Sequence, residues 1–257
     1  MTTLADITLR VAREITDVLN GSATVGNGTN PVTSINDQTN LIQKADQWAR
    51  GTLWFRSGTG LIGIMVPVTT FASATLNFAS IGVINPSVQA NYSVTGQEFP
   101  TSELIKAVNA ALADGAKVLT ADTSITATGA SSYTLPAGVS NVRDVEFQDS
   151  SGQRTPSTHW KERAGSIYFD YPPPTGDTVV LWYRAAHSEL IAYGDAVNSE
   201  ISDEWLLWKS VEKALTWALN MYGDSPEKGY ASKLQQAIQE LQSKNPHRTR
   251  DVIIHTA

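Results

Sequence analysis

EISDEWLLWKSVEKALTWALNMYG, residues 200–223, repeats its apolar side chains every three or four positions: Ile201, Trp205, Trp208, Val211, Leu215, Ala218 and Tyr222. That period places them on one face of an α-helix. Gly223 stands where a helix commonly ends, and Asp203 and Glu204 fall in the first turn, where the helix dipole favours negative charge. Trp217 is rotated away from the Leu215 and Ala218 stripe, so it is expected to pack on a β module or another subunit. A second helix follows. Ser225 as N-cap, Pro226 at the first helical position and Glu227 in the first turn open it. Tyr230, Leu234, Ile238 and Leu241 supply its buried stripe, and Asn245-Pro246 ends it.

Downstream lies HRTRDVIIHTA, residues 247–257, with the β-branched triplet Val252, Ile253 and Ile254 close to the end. Chain ends are usually polar and frayed unless something holds them. This segment is therefore expected to dock, either on its own domain or on another subunit.

Upstream, two further helices have one apolar face each. Thr3 and Asp6 form a capping-box pattern before Leu4, Ile7, Val11, Ile15 and Val18, and Asn20-Gly21 is read as the stop. PTSELIKAVNAALADG, residues 100–115, places Leu104, Ile105, Val108, Ala111 and Leu112 together and closes at Gly115. Between the helices the character is β. GTLWFRSG, LIGIMVPVTTF, ATLNFASI and ANYSVTG punctuate residues 21–96, and KVLTADTSIT, NVRDVEFQ, GSIYFDY and DTVVLWYRAAH follow residue 116. The order is helix, β module, helix, β module, helix, helix. The expected fold is α+β: an antiparallel four-helix bundle core with two inserted small β modules and an extended C-terminal tail. Its parts are residues 1–20, 97–115 and 196–245 for the bundle, 21–96 and 116–195 for the β modules, and 246–257 for the tail.

Composition narrows the function. The 257 residues include no cysteine, which excludes disulfides and thiolate chemistry. Charged residues are only 17%, which leans toward a surface partly covered by neighbours. The net charge of −6, with no basic stripe along the chain, argues against free-standing nucleic-acid binding. No stretch is apolar enough for a membrane span, and Asp6, Arg10, Arg13, Glu14 and Asp17 interrupt what would have to be a signal core.

Catalytic chemistry finds no foothold. His159 and His187 lie in no recognisable motif, and His247 and His255 are too far apart for a helical metal pair. The acid pairs Asp203-Glu204 and Asp144-Glu146 fit a helix start and an alternating strand better than acid–base work. GSATVGNGTN, residues 21–30, lacks the lysine of a phosphate loop and reads as a loop. No catalytic residue, metal site or cofactor is expected. Exposed Trp48, Trp54 or Trp160 would offer a platform for carbohydrate, the basis of an alternative reading as a sugar-binding tail component.

The ordered set LNGSATVGNGTN, ADQWARGTLWFRSG, FPTSELIKAVNAALAD, YTLPAGVSNVRDVEF, the Trp160 segment, GSIYFDYPPPTGDTVVLWYRAAHSEL and the closing helix pair resembles the head–tail adaptor, or connector, proteins of tailed bacteriophages. The resemblance implies a structural virion protein at the neck, assembled in the host bacterial cytoplasm. It further implies a ring, typically of twelve copies, that sits beneath the portal protein, extends the DNA exit channel and carries tail, nozzle or fibre proteins. Double-stranded DNA would pass through without sequence recognition. His247, Arg248, Arg250, Val252, Ile253, Ile254 and His255 would then dock on the portal. Trp205, Trp208, Val211, Leu215, Trp217, Leu234, Ile238 and Leu241 would form the bundle core and ring interface. A tail terminator or tube protein, with a β-sandwich or barrel and little helix, is the other alternative within a virion.

Overall fold

The computed structural model describes residues 2–26, 28, 30–42, 47–84, 86–224, 228–244 and 246. They divide into two compact units, residues 1–114 with 188–257, and residues 115–187.

In the first unit, α1 (Leu4–Ile15) starts with the expected capping box: Thr3 and Asp6 exchange hydrogen bonds, 3.2 Å from the Asp6 amide to Thr3 Oγ1 and 3.1 Å from the Thr3 amide to Asp6 Oδ2. The helix does not run to Asn20-Gly21. Thr16 turns to extended backbone (φ −146°), and β1 (Val18–Val25) passes straight through Gly21, so much of the glycine-rich stretch is strand rather than loop. Gly21 lies opposite Tyr92, and a Cβ there would come within 2.3 Å of the tyrosine ring. The glycine admits a cross-strand ring; it does not break a helix.

β2 (Ser34–Asn36), β3 (Thr52–Phe55), β4 (Met65–Ala72), β5 (Thr75–Phe78) and β6 (Val88–Thr95) complete an antiparallel sheet with β1. Its order is β1-β6-β3-β4-β5-β2, and its two ends approach one another, so it curls into a nearly closed barrel. Leu53, Phe55, Leu61, Val68, Phe71, Leu76, Tyr92 and Val94 fill the interior. Alternation along the strands explains the inward set: in β4, Val66, Val68 and Phe71 are buried while Pro67, Thr69 and Thr70 are exposed, with a register shift between Val68 and Thr70.

α2 (Thr101–Gly115), α3 (Asp203–Tyr222) and α4 (Tyr230–Gln242) accompany the barrel. α3 packs on both α1 and α4, and Asp114 of α2 pairs with Lys209 and Lys213 of α3 at 3.2 and 2.8 Å. This arrangement overturns the expected four-helix bundle core. A one-faced helix must bury its stripe, but the stripe does not say against what. The segments between α1 and α2 carry enough alternating apolar residues to build a core of their own, and that core is a sheet. α4 shows the shortfall most clearly: only Tyr230 and Ala237 are buried, Leu234 and Leu241 are half-buried, and Ile238 is 37% exposed. A helix inside a bundle would be covered along its whole stripe.

The second unit has two antiparallel sheets. β7 (Lys117–Thr126), β9 (Asp144–Gln148), β10 (Arg154–Ser157) and β13 (Thr178–Ala186) form one, in the order β10-β9-β13-β7. β8 (Ser132–Thr134), β11 (Trp160–Arg163) and β12 (Ser166–Phe169) form the other, in the order β11-β12-β8. Val145, Val179 and Leu181 of the larger sheet meet Ile167 and Phe169 of the smaller in a shared core.

Candidate assembly surfaces

The α3 face carries the buried Trp205, Leu206, Leu207, Val211, Ala214, Leu215 and Ala218, with Trp208 half-buried. Ser202 caps the helix, its Oγ accepting from the Trp205 amide. Trp217 is also half-buried. Its ring lies 6.3 Å from that of Phe99 and 5.8 Å from that of Tyr222, while Phe99 meets Tyr230 edge-on at 5.6 Å. Phe99, in the approach to α2, is buried and is the hub of this aromatic cluster.

A polar cleft of about 530 Å³ opens beside the cluster, lined by Arg13, Glu14, Asp17, Glu98, Lys228 and Lys233 among others. Lys228 ion-pairs with Glu98 and lies 5.2 Å above the Tyr222 ring, while the Tyr230 hydroxyl donates to Glu98. Burial pushes the Glu98 carboxyl up, but hydrogen bonds from Lys228 and Tyr230, together with the lysine charge, outweigh it and hold the group below the usual carboxylate range. Burial and the Glu98 hydrogen bond push the Tyr230 phenol well above its ordinary value, so it stays a donor. Lys233 donates to the carbonyl of Ile15 at 3.1 Å, which fastens α4 to the end of α1. Glu98, Lys228, Tyr230 and Lys233 thus hold helix ends together on one side of the cleft.

The expected start of the last helix at Ser225, Pro226 and Glu227 lies outside the described residues. Within them α4 begins at Tyr230, after Gly229 in the left-handed region (φ 59°, ψ 32°). The expected docking residues His247, Arg248, Arg250, Val252, Ile253, Ile254 and His255 also lie outside the described residues. Their root does not. The Pro246 carbonyl accepts from the Ser202 amide at 2.9 Å, and Lys244 pairs with Glu204 at 2.9 Å, so the chain returns to the start of α3 at these residues. Sequence reasoning assigned Glu204 to the helix dipole and missed this second role.

The sugar-platform reading loses two of its three tryptophans: Trp48 and Trp54 are 3% and 1% exposed, and Trp54 packs 5.1 Å from Tyr193. Trp48 enters the core of the sheet from the turn before β3, and Trp54, in β3, is covered by Tyr193. Trp160 is half-buried against the core of the second unit. The pair Asp144-Glu146 is split by role. Glu146 accepts from Trp182 Nε1 at 3.0 Å and sits 3.6 Å from Arg154, whereas Asp144 is exposed. His159 stacks edge-on against Tyr171, and the His187 amide donates to the Ala116 carbonyl. Among the described residues no group of three or more His, Asp or Glu is placed to hold a metal ion, and no helix is long and apolar enough to cross a membrane.

No curated protein matches the chain. The family whose description is "SU10 adaptor protein" matches residues 2–253, nearly the whole length, and spans both units, the aromatic cluster and the tail root. The chain thus belongs to the SU10 adaptor family, structural adaptor proteins of bacteriophages.

Proposed function

We propose that this chain is the head-to-tail adaptor of a tailed phage: copies of it form a ring beneath the portal, extend the DNA exit channel and carry tail, nozzle or fibre proteins. The observation that supports the reading most is the family match over residues 2–253. In this reading residues 247–257 dock on the portal, with Val252, Ile253 and Ile254 as the apolar contact and Arg248 and Arg250 against acidic surface. Their rooting at the start of α3, through Ser202 and Glu204, gives the tail a fixed point of departure from the helical layer. Trp208, Trp217 and Ile238, which the subunit leaves half-buried or exposed, serve the ring interface. A twelvefold ring is the expected closure.

The test is to mix the full-length protein with the portal protein of the same virion, with and without residues 247–257, and to weigh the complexes by native mass spectrometry. Joint rings with the full chain alone support both the adaptor and the docking tail. Joint rings with both chains leave the adaptor and remove the tail's role. No complex with either chain ends the reading. Four helices among the described residues, one of them twenty residues long, speak against the tube or terminator alternative.

A further inference from the structure

The second unit has a charged face that no contiguous run of the sequence shows. Strand register sets it. Lys161 stands opposite Tyr168, which stands opposite Ser132; Arg163 stands opposite Ser166, which stands opposite Thr134. Directly paired residues share a face, so these six lie on the outer side of the β11-β12-β8 sheet, while Ile167 and Phe169 point to the core. Lys161 and Arg163, two positions apart on an extended strand, are separated by about 6.7 Å. They flank a cavity of about 420 Å³ lined also by Ser131, Ala164, Tyr168 and Asp170.

Three features mark this face as unfinished. Tyr168, a large aromatic at its middle, is 41% exposed. Arg163 has no carboxylate within ion-pair distance among the described residues. Lys161 has only Asp170 at 3.7 Å, both side chains more than half exposed, a pair worth little in water. Arginine and tyrosine are among the residue types enriched where proteins meet.

We infer that this Lys161, Arg163 and Tyr168 face docks on the acidic first unit of a second copy of this chain. The inference rests on the adaptor reading, because it supplies one side of the ring contact. Charge decides the occupant. Residues 115–187 hold six Lys and Arg against seven Asp and Glu, so they carry −1 of the net −6, and the remaining −5 belongs to the first unit. Glu14 and Asp17, at the end of α1, and Glu189 are exposed and form no ion pair among the described residues, while Arg13, Lys228 and Lys233 line the cleft that holds the first two. A contact between this face and the first unit of another copy joins two different surfaces. The contact is therefore head-to-tail, the type that closes into a ring.

The experiment uses full-length protein, a mixture of ¹⁴N- and ¹⁵N-labelled copies, alone and with the portal protein. Carbodiimide joins lysines to carboxylates in direct contact, and mass spectrometry separates links between copies, which carry mixed isotopes, from links within one. The link from Lys161 to Asp170 inside one copy is the internal control. The expected result is mixed-isotope links from Lys161 to Asp or Glu of residues 1–114 or 188–257. Alongside it, K161E/R163E should weaken self-association about tenfold or more at low salt, with the gap shrinking as salt screens it. Circular dichroism equal to that of the parent shows the exposed variant is folded.

Rings on the portal without mixed-isotope links from Lys161, or with K161E/R163E joining as well as the parent, overturn the inference and leave the adaptor reading standing. Links from Lys161 to the portal alone overturn it by naming another occupant. Absence of any assembly, with or without portal, sinks the adaptor reading and this inference with it.

Discussion

Asp37 is buried at 6% exposure, where it collects hydrogen bonds from the Tyr92 hydroxyl and the Asn40 amide side chain, both at 2.8 Å, and from the Thr39 and Asn40 backbone. Burial raises its pKa, but those donors outweigh it and hold the carboxyl below its ordinary value. Because the folded pKa is depressed, the stabilisation is complete above the unfolded value of about 3.9 and fades as pH falls through the folded one. Asp37→Asn should therefore be less stable at neutral pH and lose less as pH falls below about 4, as followed by acid titration of circular dichroism. Tyr92→Phe leaves the carboxylate one donor short and should cost about 1–3 kcal/mol by chemical denaturation. Gly21→Ala, which drives a Cβ into the Tyr92 ring, should cost about 1–3 kcal/mol in the same assay. None of this was legible locally. Asn20-Gly21 after an amphipathic run has the chemistry of a helix stop, and only the distant Tyr92 shows why the glycine is needed.

At the scale of elements, helices and strands were readable because their periods are local. The capping box at Thr3 and Asp6 and the α3 stripe are where the spacing puts them. What each stripe packs against was not readable, since amphipathicity names a buried side without naming the neighbour. Phe99 illustrates the gap: it precedes α2, lies outside any helical stripe, and joins α2's approach to α3 and α4 through Trp217 and Tyr230. Phe99→Ala should cost about 3–5 kcal/mol in thermal or chemical unfolding. Ile238→Asp, on the exposed side of α4, should change monomer stability by no more than about 0.5 kcal/mol while reducing ring yield on the portal. An unchanged ring yield would remove Ile238 from the interface.

For the whole molecule, the division at residues 114 and 187 falls where the chain enters and leaves two paired strands. Lys117 of β7 faces Ala186 of β13, and the His187 amide donates to the Ala116 carbonyl. With a core of its own and both ends together, a fragment of residues 115–187 should unfold cooperatively in denaturant; a sloping, non-cooperative curve would show that it depends on the rest of the chain. The sequence revealed the β content of both halves, yet the order of the first sheet depends on β1 reaching β6 and β2 reaching β5, pairings that skip over intervening strands and bring the edges β1 and β2 together. The doorway formed by β7 and β13 has a bearing on inheritance. A body that leaves and rejoins its host chain at one spot can be exchanged, enlarged or trimmed with little change in the distance the host must span. Natural selection could therefore refit residues 115–187 to new neighbours while the barrel and helices stay as they are.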